Sequence, residues 1–101
     1  MKVHLIVAPT TFALNHGDLG KGTDPPLGIM YLAAYAREYG PAVDFVLTDG
    51  VLEGYDETIN IIKENKADVI GLSAVTTNII GAYKVIEWIR REMPETTIIL
   101  G

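Results

Sequence analysis

The residues of this sequence that could do chemistry are small or carry hydroxyl groups, and they follow apolar runs. Residues 69–74 are continuous apolar sequence that ends in small residues, and two threonines come shortly after it. Residues 2–8 form a second such run, which Pro9 and Thr10 follow. Small groups with a few hydroxyls suit a narrow pocket, in which a few polar contacts orient a mostly apolar ligand. The candidate binding residues are therefore Thr10, Ser73, Ala74, Thr76 and Thr77.

Composition excludes several other kinds of site. The chain has no cysteine, so it carries no disulfide, no thiolate metal site and no iron–sulfur cluster of its own. His4 lies inside an apolar run and is expected to be structural, whereas His16 is expected to be a solvated loop residue. No serine–histidine pair or carboxylate pair can be assembled, so we predict no catalytic residue and no metal ligand on this chain.

Charge and hydropathy restrict the partners. Thirteen acidic residues against eight basic ones give a net charge of −5, which argues against a nucleic-acid partner. No apolar run approaches the ~18 residues that a membrane-spanning helix needs. The N-terminus also lacks the basic flank and cleavage site of a signal peptide. We therefore expect a cytoplasmic protein without a membrane partner.

Apolar periodicity and turn residues predict four strands that alternate with three helices. The strands are predicted over residues 2–8, 42–48, 69–74 and 97–100, and the helices over about 25–40, 56–65 and 78–93. Residues 9–26 are predicted to be a loop, whose length in a compact domain suggests a use. The first helix is predicted to begin at Pro25 and Pro26 after an Asp24 N-cap, and to end at Gly40.

Several side chains of the helices and turns are expected to be structural. The first helix leaves little polar surface and is therefore expected to pack tightly. Its Tyr31, Tyr35 and Tyr39 recur every four residues and are expected to pack along one face. Trp88 is expected to be half-buried, and Asp49 is interpreted as a turn former.

The alternation of strands and helices implies a parallel sheet with right-handed crossovers and helices on both faces. Residues 42–48 alternate in polarity, as an edge strand does, whereas residues 2–8 and 69–74 have the character of central strands. We predict one α/β domain over residues 1–101. It is a flavodoxin-like (Rossmann-like) three-layer fold, truncated to four parallel strands in the order 2-1-3-4. Its ligand would bind beyond the carboxyl ends of the two central strands.

Three common ligands of such sheets fit poorly. A dinucleotide site requires G-x-G-x-x-G after the first strand, and the glycines of residues 9–26 do not have that spacing. A phosphoacceptor domain needs an acidic pair after the first strand, where this chain has Pro9 and Thr10. An FMN site needs a compact phosphate loop rich in hydroxyls and glycine, which residues 9–26 do not provide.

Two segments carry a resemblance to a known family. One runs from Pro25 to Gly40 (PPLGIMYLAAYAREYG) and the other from Asp68 to Asn78 (DVIGLSAVTTN). Together they resemble the cobalamin (B12)-binding domain that precedes many radical S-adenosylmethionine enzymes. Members of that family are often named as anaerobic magnesium-protoporphyrin ester cyclases or as methyltransferases. The resemblance implies a corrinoid ligand whose slot is lined by Ser73, with Gly101 as the first glycine of a pair in the same slot.

The resemblance also implies a larger parent protein. Cobalamin is expected on the parent rather than on this chain alone, and the 4Fe–4S cluster and S-adenosylmethionine are expected on a C-terminal radical S-adenosylmethionine domain in cis. This chain would orient the corrinoid for methyl transfer or radical chemistry and make no bond itself, so the enzyme would be the parent. A fifth strand and a last helix would complete the domain; the alternative is a natural four-stranded protein. Without them, the bare edge of the fourth strand predicts a homodimer.

One departure from the wider family is informative, and two alternatives stay open. Other B12-binding branches carry Asp-x-His-x-x-Gly after the first strand, and that histidine coordinates cobalt. Here Leu14 and Leu19 stand at the aspartate and glycine positions around His16. The resemblance therefore implies the branch without a coordinating histidine.

The alternatives are an interaction or structural module of flavodoxin-like fold that has lost its ligand, and an enzyme of another class that uses residues 9–26 as a lid.

Overall fold

The computed structural model describes residues 1–10, 27–40 and 42–101 of the chain. Its elements in these ranges are β1 (Lys2–Val7), α1 (Leu27–Tyr39), β2 (Asp44–Asp49), α2 (Gly50–Glu53), α3 (Tyr55–Asn65), β3 (Val69–Ser73), α4 (Ile79–Glu92) and β4 (Thr97–Leu100). The predicted strands and helices are present, with bounds within two residues of the expected ones, and α2 is an addition. The predicted helix start at Asp24 to Pro26 and the loop residues 11–26 lie outside the described residues.

The sheet has the predicted topology. Its strands lie in the order β2-β1-β3-β4, and each pair of neighbours is parallel. Leu5 of β1 stands opposite Leu47 of β2 on one side and Gly71 of β3 on the other. Gly71 in turn stands opposite Ile99 of β4. Helices pack on both faces of this sheet, so the fold is the expected three-layer α/β arrangement.

The larger part of the core lies between the sheet and helices α3 and α4. Ile6 and Ile70 of the two central strands are fully buried there, against Ile62 of α3 and against Val85 and Ile89 of α4. The α4 residues are four apart, so they share one face of the helix. Ile59 and Ile62 of α3 lie three residues apart and also share one face, so the packing of both helices agrees with the sequence pattern.

A smaller core lies on the opposite face of the sheet, beneath α1. Leu5 of β1 is buried there with Ile29 and Ala33 of α1. Helix α1 packs on β1 and β2. On this same face, Ser73 of β3 and Ile99 of β4 are exposed. The sheet is therefore covered unevenly on the α1 side, and the face of β3 and β4 is open.

The expectation that α1 packs tightly is wrong. Within this helix only Ile29 and Ala33 are buried, while Leu27 and Leu32 are more than half exposed. A helix that rests on one face of a sheet buries one stripe of side chains. Apolar residues outside that stripe stay in solvent unless another element covers them.

The tyrosine stripe of α1 also faces solvent, so its expected role in packing is wrong as well. Tyr31, Tyr35 and Tyr39 are each at least 66% exposed. The rings of Tyr35 and Tyr39 contact each other, with their centroids 4.8 Å apart. The stripe exists as the spacing predicts, but it lies on the outer face of the helix.

The predicted turn at Asp49 is the start of a short helix. Asp49 is the N-cap of α2, and its Oδ1 accepts hydrogen bonds from the backbone N–H groups of Val51 (3.1 Å) and Leu52 (3.4 Å). Gly50 is buried against β1, where a Cβ would overlap the carbonyl oxygen of Val7. Aspartate favours turns and helix N-caps for the same reason, since its carboxylate accepts from nearby backbone N–H groups.

Candidate functional site

Backbone hydrogen bonds continue beyond the ends of the central strands. The N–H of Ala8 donates to the carbonyl oxygen of Ser73 (2.9 Å), and the N–H of Gly101 donates to that of Leu72 (2.9 Å). The N–H of Ala74 donates in turn to the carbonyl oxygen of Gly101 (3.2 Å). The segments that follow β1, β3 and β4 are therefore held side by side at the carboxyl edge of the sheet, which is where open parallel sheets bind ligands.

Asn78 fixes the turn between β3 and α4, and its role was not predicted from the sequence. Its side chain is buried, its Nδ2 donates to the carbonyl oxygen of Ala8 (2.9 Å), and its Oδ1 accepts from the N–H of Val75 (2.6 Å). Asparagine commonly closes turns in this way. The sequence offered only the signal that a polar residue precedes a helix.

An apolar groove of about 550 Å³ lies on the α1 side of the sheet. Its floor includes Leu5, Gly71, Ser73 and Ile99, contributed by three neighbouring strands, and α1 forms one wall. We call this feature the apolar groove. It reaches the carboxyl edge at Ser73, and its volume lies in the usual range of ligand pockets, about 300–1,000 Å³.

The lining of the apolar groove is almost wholly apolar. Among the described residues that line it, Ser73 carries the only side-chain hydroxyl, and no side chain is charged. Such a surface suits a flat apolar group that one hydroxyl orients. Burial of an aromatic ring with about 150 Å² of surface contributes on the order of 4 kcal/mol.

Glycines shape the apolar groove. A Cβ at Gly71 would lie 2.9 Å from Cδ2 of Leu5, so a side chain there would press into the floor. At Gly28 and Gly101, which also line the groove, a Cβ would meet no heavy atom within 4 Å. The space over these two glycines is therefore open, and a ligand could approach the backbone closely. The alternation of residues in β3 also puts Gly71 on the same face as Ser73.

The structure brings some of the predicted binding residues together and separates others. Ser73 and Gly101 both line the apolar groove. Ala74 is half-buried and packs against the larger core, whereas Thr76 and Thr77 are exposed in the turn before α4 and lie outside the groove lining. The binding roles of all these residues stay predictions.

Thr10 lines a separate pocket of about 430 Å³ on the α3 and α4 side of the sheet. We call it the polar cleft, and its other lining residues are Tyr55 of α3 with Lys84, Glu87, Trp88 and Arg91 of α4. The sheet separates this cleft from the apolar groove. Helix α4 approaches the segment after β1 closely here, because a Cβ at Gly81 would overlap the carbonyl oxygen of Pro9. Gly81 therefore serves this contact.

His4 is structural, as predicted. Its side chain is fully buried, and Nε2 lies 2.7 Å from Oγ1 of Thr48 on β2, while Nδ1 has no described partner. Burial, with a smaller effect from the charge of Lys2, lowers the pKa of His4 to about 4. The imidazole is therefore neutral at pH 7.

Two kinds of site or segment are absent from the described ranges. Residues 1–10, 27–40 and 42–101 contain no group of three or more histidine, aspartate or glutamate side chains that could hold a metal ion. Within the same ranges no helix has the length and apolar character needed to cross a membrane. His16, the predicted solvated histidine, lies outside them.

Comparison with known proteins identifies the family of the chain. The family model described as "B12 binding domain" matches residues 20–101. A protein of Pyrococcus horikoshii named "uncharacterized methyltransferase" is 30% identical over 103 aligned residues, which cover all of this chain and 21% of that protein. The chain thus spans about a fifth of that relative's length. No solved structure matches at a significant level. The chain belongs to the B12-binding domain family, whose ligand is the corrinoid cobalamin.

Proposed function

We propose that this chain is the corrinoid-binding module of a larger methyl-transfer enzyme, and that the apolar groove receives the nucleotide tail of cobalamin. The observation that carries the proposal is the meeting of Ser73 and Gly101 in one groove at the carboxyl edge. Membership of the B12-binding domain family supports the ligand, and the methyltransferase relative supports the reaction class.

The residues present fit the tail of cobalamin. The tail ends in a flat, largely apolar base, and the groove offers an apolar floor with one hydroxyl at Ser73. Gly28 and Gly101 leave open space over their backbone, so a flat ring could lie against the chain without meeting a side chain at either position. A base that entered here would displace water from Leu32 and Ile99, which are more than half exposed, and burial of this apolar surface is favourable.

The role of this chain would be to bind cobalamin and to orient it. Cobalamin, when bound, supplies a cobalt centre that carries or relays a methyl group. Ser73 would hydrogen-bond the tail, the apolar floor would exclude water from it, and the hydrogen-bonded ends of β1, β3 and β4 would hold the carboxyl edge in a fixed shape. No charged side chain lines the groove among the described residues, so none there is placed to move a proton. Bond making is therefore assigned to another domain.

We extend the proposal to that other domain, as a radical S-adenosylmethionine domain in cis. The resemblance of residues 25–40 and 68–78 to the B12 domains of such enzymes supports it. A 4Fe–4S cluster requires cysteine ligands and this chain has none, so the cluster and S-adenosylmethionine would be held outside it. We also propose that a fifth strand and a helix complete the domain over β4, because Ile99 and Leu100 are exposed there.

The test is a titration of hydroxocobalamin into the full-length protein that carries this chain, followed by the visible absorption spectrum. A saturable spectral change is expected. Ser73→Phe should weaken binding at least about tenfold, because the phenyl ring would occupy the groove. Asn60→Phe is the matched control, since Asn60 is exposed on α3 on the other side of the sheet, and it should bind like the unchanged protein.

The outcomes separate the alternatives. Undiminished binding by Ser73→Phe would move the site away from the apolar groove. Absence of any spectral change with the unchanged protein would favour an interaction or structural module that has lost its ligand.

A further inference from the structure

We propose that the polar cleft is a second binding site, distinct from the corrinoid groove, and that it takes a nucleoside monophosphate. The cleft lies across the sheet from the apolar groove. Its Thr10 is a candidate binding residue from the sequence, but the proposed corrinoid function uses the groove and gives the cleft no role. Three features of the described lining point to such a ligand: its position, its tryptophan wall and its charges.

The position and size of the polar cleft suit a small molecule. Thr10 stands just beyond the carboxyl end of β1, where ligands of open parallel sheets bind. The cleft volume of about 430 Å³ falls within the common range of ligand pockets, and Tyr55 adds an aromatic side chain to the lining. A ligand here would reach a hydroxyl from the segment after β1, an aromatic ring from α3 and charged groups from α4.

Trp88 forms a wall of the cleft. It also lines a neighbouring surface hollow of about 610 Å³, to which Lys63 and Lys66 contribute. Lys63 lines only the hollow, and its Nζ lies 5.5 Å from the centroid of the Trp88 ring. The indole is half-buried against the larger core and borders both depressions, with a cation on the hollow side and part of its surface in the lining of the polar cleft. An indole face is a good stacking surface for a flat base.

The charges of the cleft select an anion that also offers hydrogen-bond donors. Lys84, Glu87 and Arg91 lie at i, i+3 and i+7 on α4, so the two cations are about 10 Å apart along the helix and Glu87 stands between them. The described ion pair at this end of α4 joins Nε of Arg91 to exposed Glu92 (3.5 Å). The terminal nitrogens of Arg91 and the ammonium of Lys84 can then donate to a phosphate.

The carboxylate of Glu87 favours a nucleotide over inorganic phosphate as the ligand. A carboxylate in the lining repels a free anion, but it accepts hydrogen bonds from ribose hydroxyls or from the amino group of a base. The three charged side chains of the described lining sum to one positive charge, and the whole chain carries −5, so a monophosphate matches this part of the cleft better than a triphosphate does. These observations together identify the ligand class as a base, a sugar and one phosphate.

The experiment uses Trp88, the single tryptophan of the chain, as its own probe. The 101-residue chain is titrated with AMP to about 10 mM while indole fluorescence is recorded. Saturable quenching is expected. Adenosine, which lacks the phosphate, and inorganic phosphate, which lacks the base, should each bind at least about tenfold more weakly, since each loses one of the two contacts.

Substitutions in the lining test whether AMP binds in the polar cleft. Lys84→Gln and Arg91→Gln should each raise the dissociation constant for AMP about tenfold, because each removes a charge-assisted hydrogen bond. Lys66 lines only the neighbouring hollow, so the Lys66→Gln variant should bind AMP like the unchanged chain. All three positions are exposed, so thermal unfolding of the variants should match that of the unchanged chain.

Quenching that does not saturate, equal affinity for AMP and inorganic phosphate, or undiminished binding by Arg91→Gln would each overturn the proposal. The site is also independent of the corrinoid. Hydroxocobalamin binding by the full-length protein should be the same for Lys84→Gln as for the unchanged protein, so failure of one proposal is distinguishable from failure of the other.

Discussion

The side-chain amide of Asn78 joins the end of β1 to the turn that follows β3. Its Nδ2 donates to the carbonyl oxygen of Ala8, 70 residues away in sequence, at 2.9 Å. Its Oδ1 accepts from the N–H of Val75 at 2.6 Å, and the residue is 5% exposed. One side chain thus satisfies two backbone groups beside Ser73, and it holds the carboxyl edge in shape.

Replacement of Asn78 should therefore be costly. Asn78→Ala leaves the Ala8 carbonyl and the Val75 N–H without partners, and we expect a loss of about 2–3 kcal/mol in the free energy of unfolding. Urea denaturation followed by circular dichroism measures it. Thr77→Ala, at the exposed neighbouring position, should change that value by less than about 0.5 kcal/mol. Equal effects of the two substitutions would contradict the role assigned to the amide.

Two glycines should respond in opposite directions to the same substitution. Gly81→Ala places a Cβ onto the carbonyl oxygen of Pro9 and should destabilise the fold by about 2 kcal/mol. Gly28→Ala meets no heavy atom within 4 Å and should stabilise α1 by about 0.5 kcal/mol. Thermal unfolding of the two variants side by side checks this. A stabilised Gly81→Ala chain would show that α4 does not approach Pro9 as described.

His4 should make the stability of the chain depend on pH in a defined window. Its pKa is about 4 in the folded state against 6.5 for the unperturbed side chain. Between these values the unfolded chain binds more protons than the folded one. Stability contributed by neutral His4 is therefore complete above pH 6.5 and is lost as the pH falls toward 4, with a slope of at most about 1.4 kcal/mol per pH unit.

The measurement is the free energy of unfolding at several pH values between 7 and 4. His4→Gln, which does not titrate, should remove this part of the slope even if it lowers stability throughout. Thr48→Val should cost about 1 kcal/mol at pH 7, because Nε2 of His4 loses its hydrogen-bond partner. A slope that persists unchanged in His4→Gln would assign the pH dependence to the carboxylates instead.

The open edge of β4 predicts self-association of the 101-residue chain. Its outer backbone groups have no strand partner among the described residues, and Ile99 is 59% exposed. We expect a two-fold dimer in light scattering over a concentration series, since unpaired strand edges associate. Ile99→Lys should shift the mass toward the monomer. A monomeric mass at the highest concentration would refute the dimer.

The fold could be predicted because its signals are local. Residues 42–48 alternate in polarity and residues 69–74 do not, and this contrast places β2 at the edge and β3 in the centre. The exposure of α1 could not be predicted, because apolar composition does not say which face of a helix is covered. Tyr35 is apolar enough for a core, yet it stands in solvent because no described element packs over it.

The site could be predicted only in part. Ser73 was found because it ends a buried strand, whereas Gly71 had to be placed by the alternation that puts it on the same face. Ala74 was expected beside Ser73, but adjacent residues point to opposite faces, and it packs against the larger core. Ala74→Phe, the substitution that the sequence would suggest for blocking the slot, would therefore disturb the core, and Ser73→Phe is the better choice.

Because the residues of β3 alternate between two faces, its two functions are carried mainly by different positions. The side chains of Ile70 and Leu72 are buried in the core, whereas Val69, Gly71 and Ser73 line the apolar groove, which Leu72 also borders. Changes at the first set alter the folding equilibrium, and changes at the second alter the shape that the groove presents. Single substitutions at the groove positions can therefore change the preferred ligand without unfolding the protein. A related protein could bind a different flat ligand and keep the same fold.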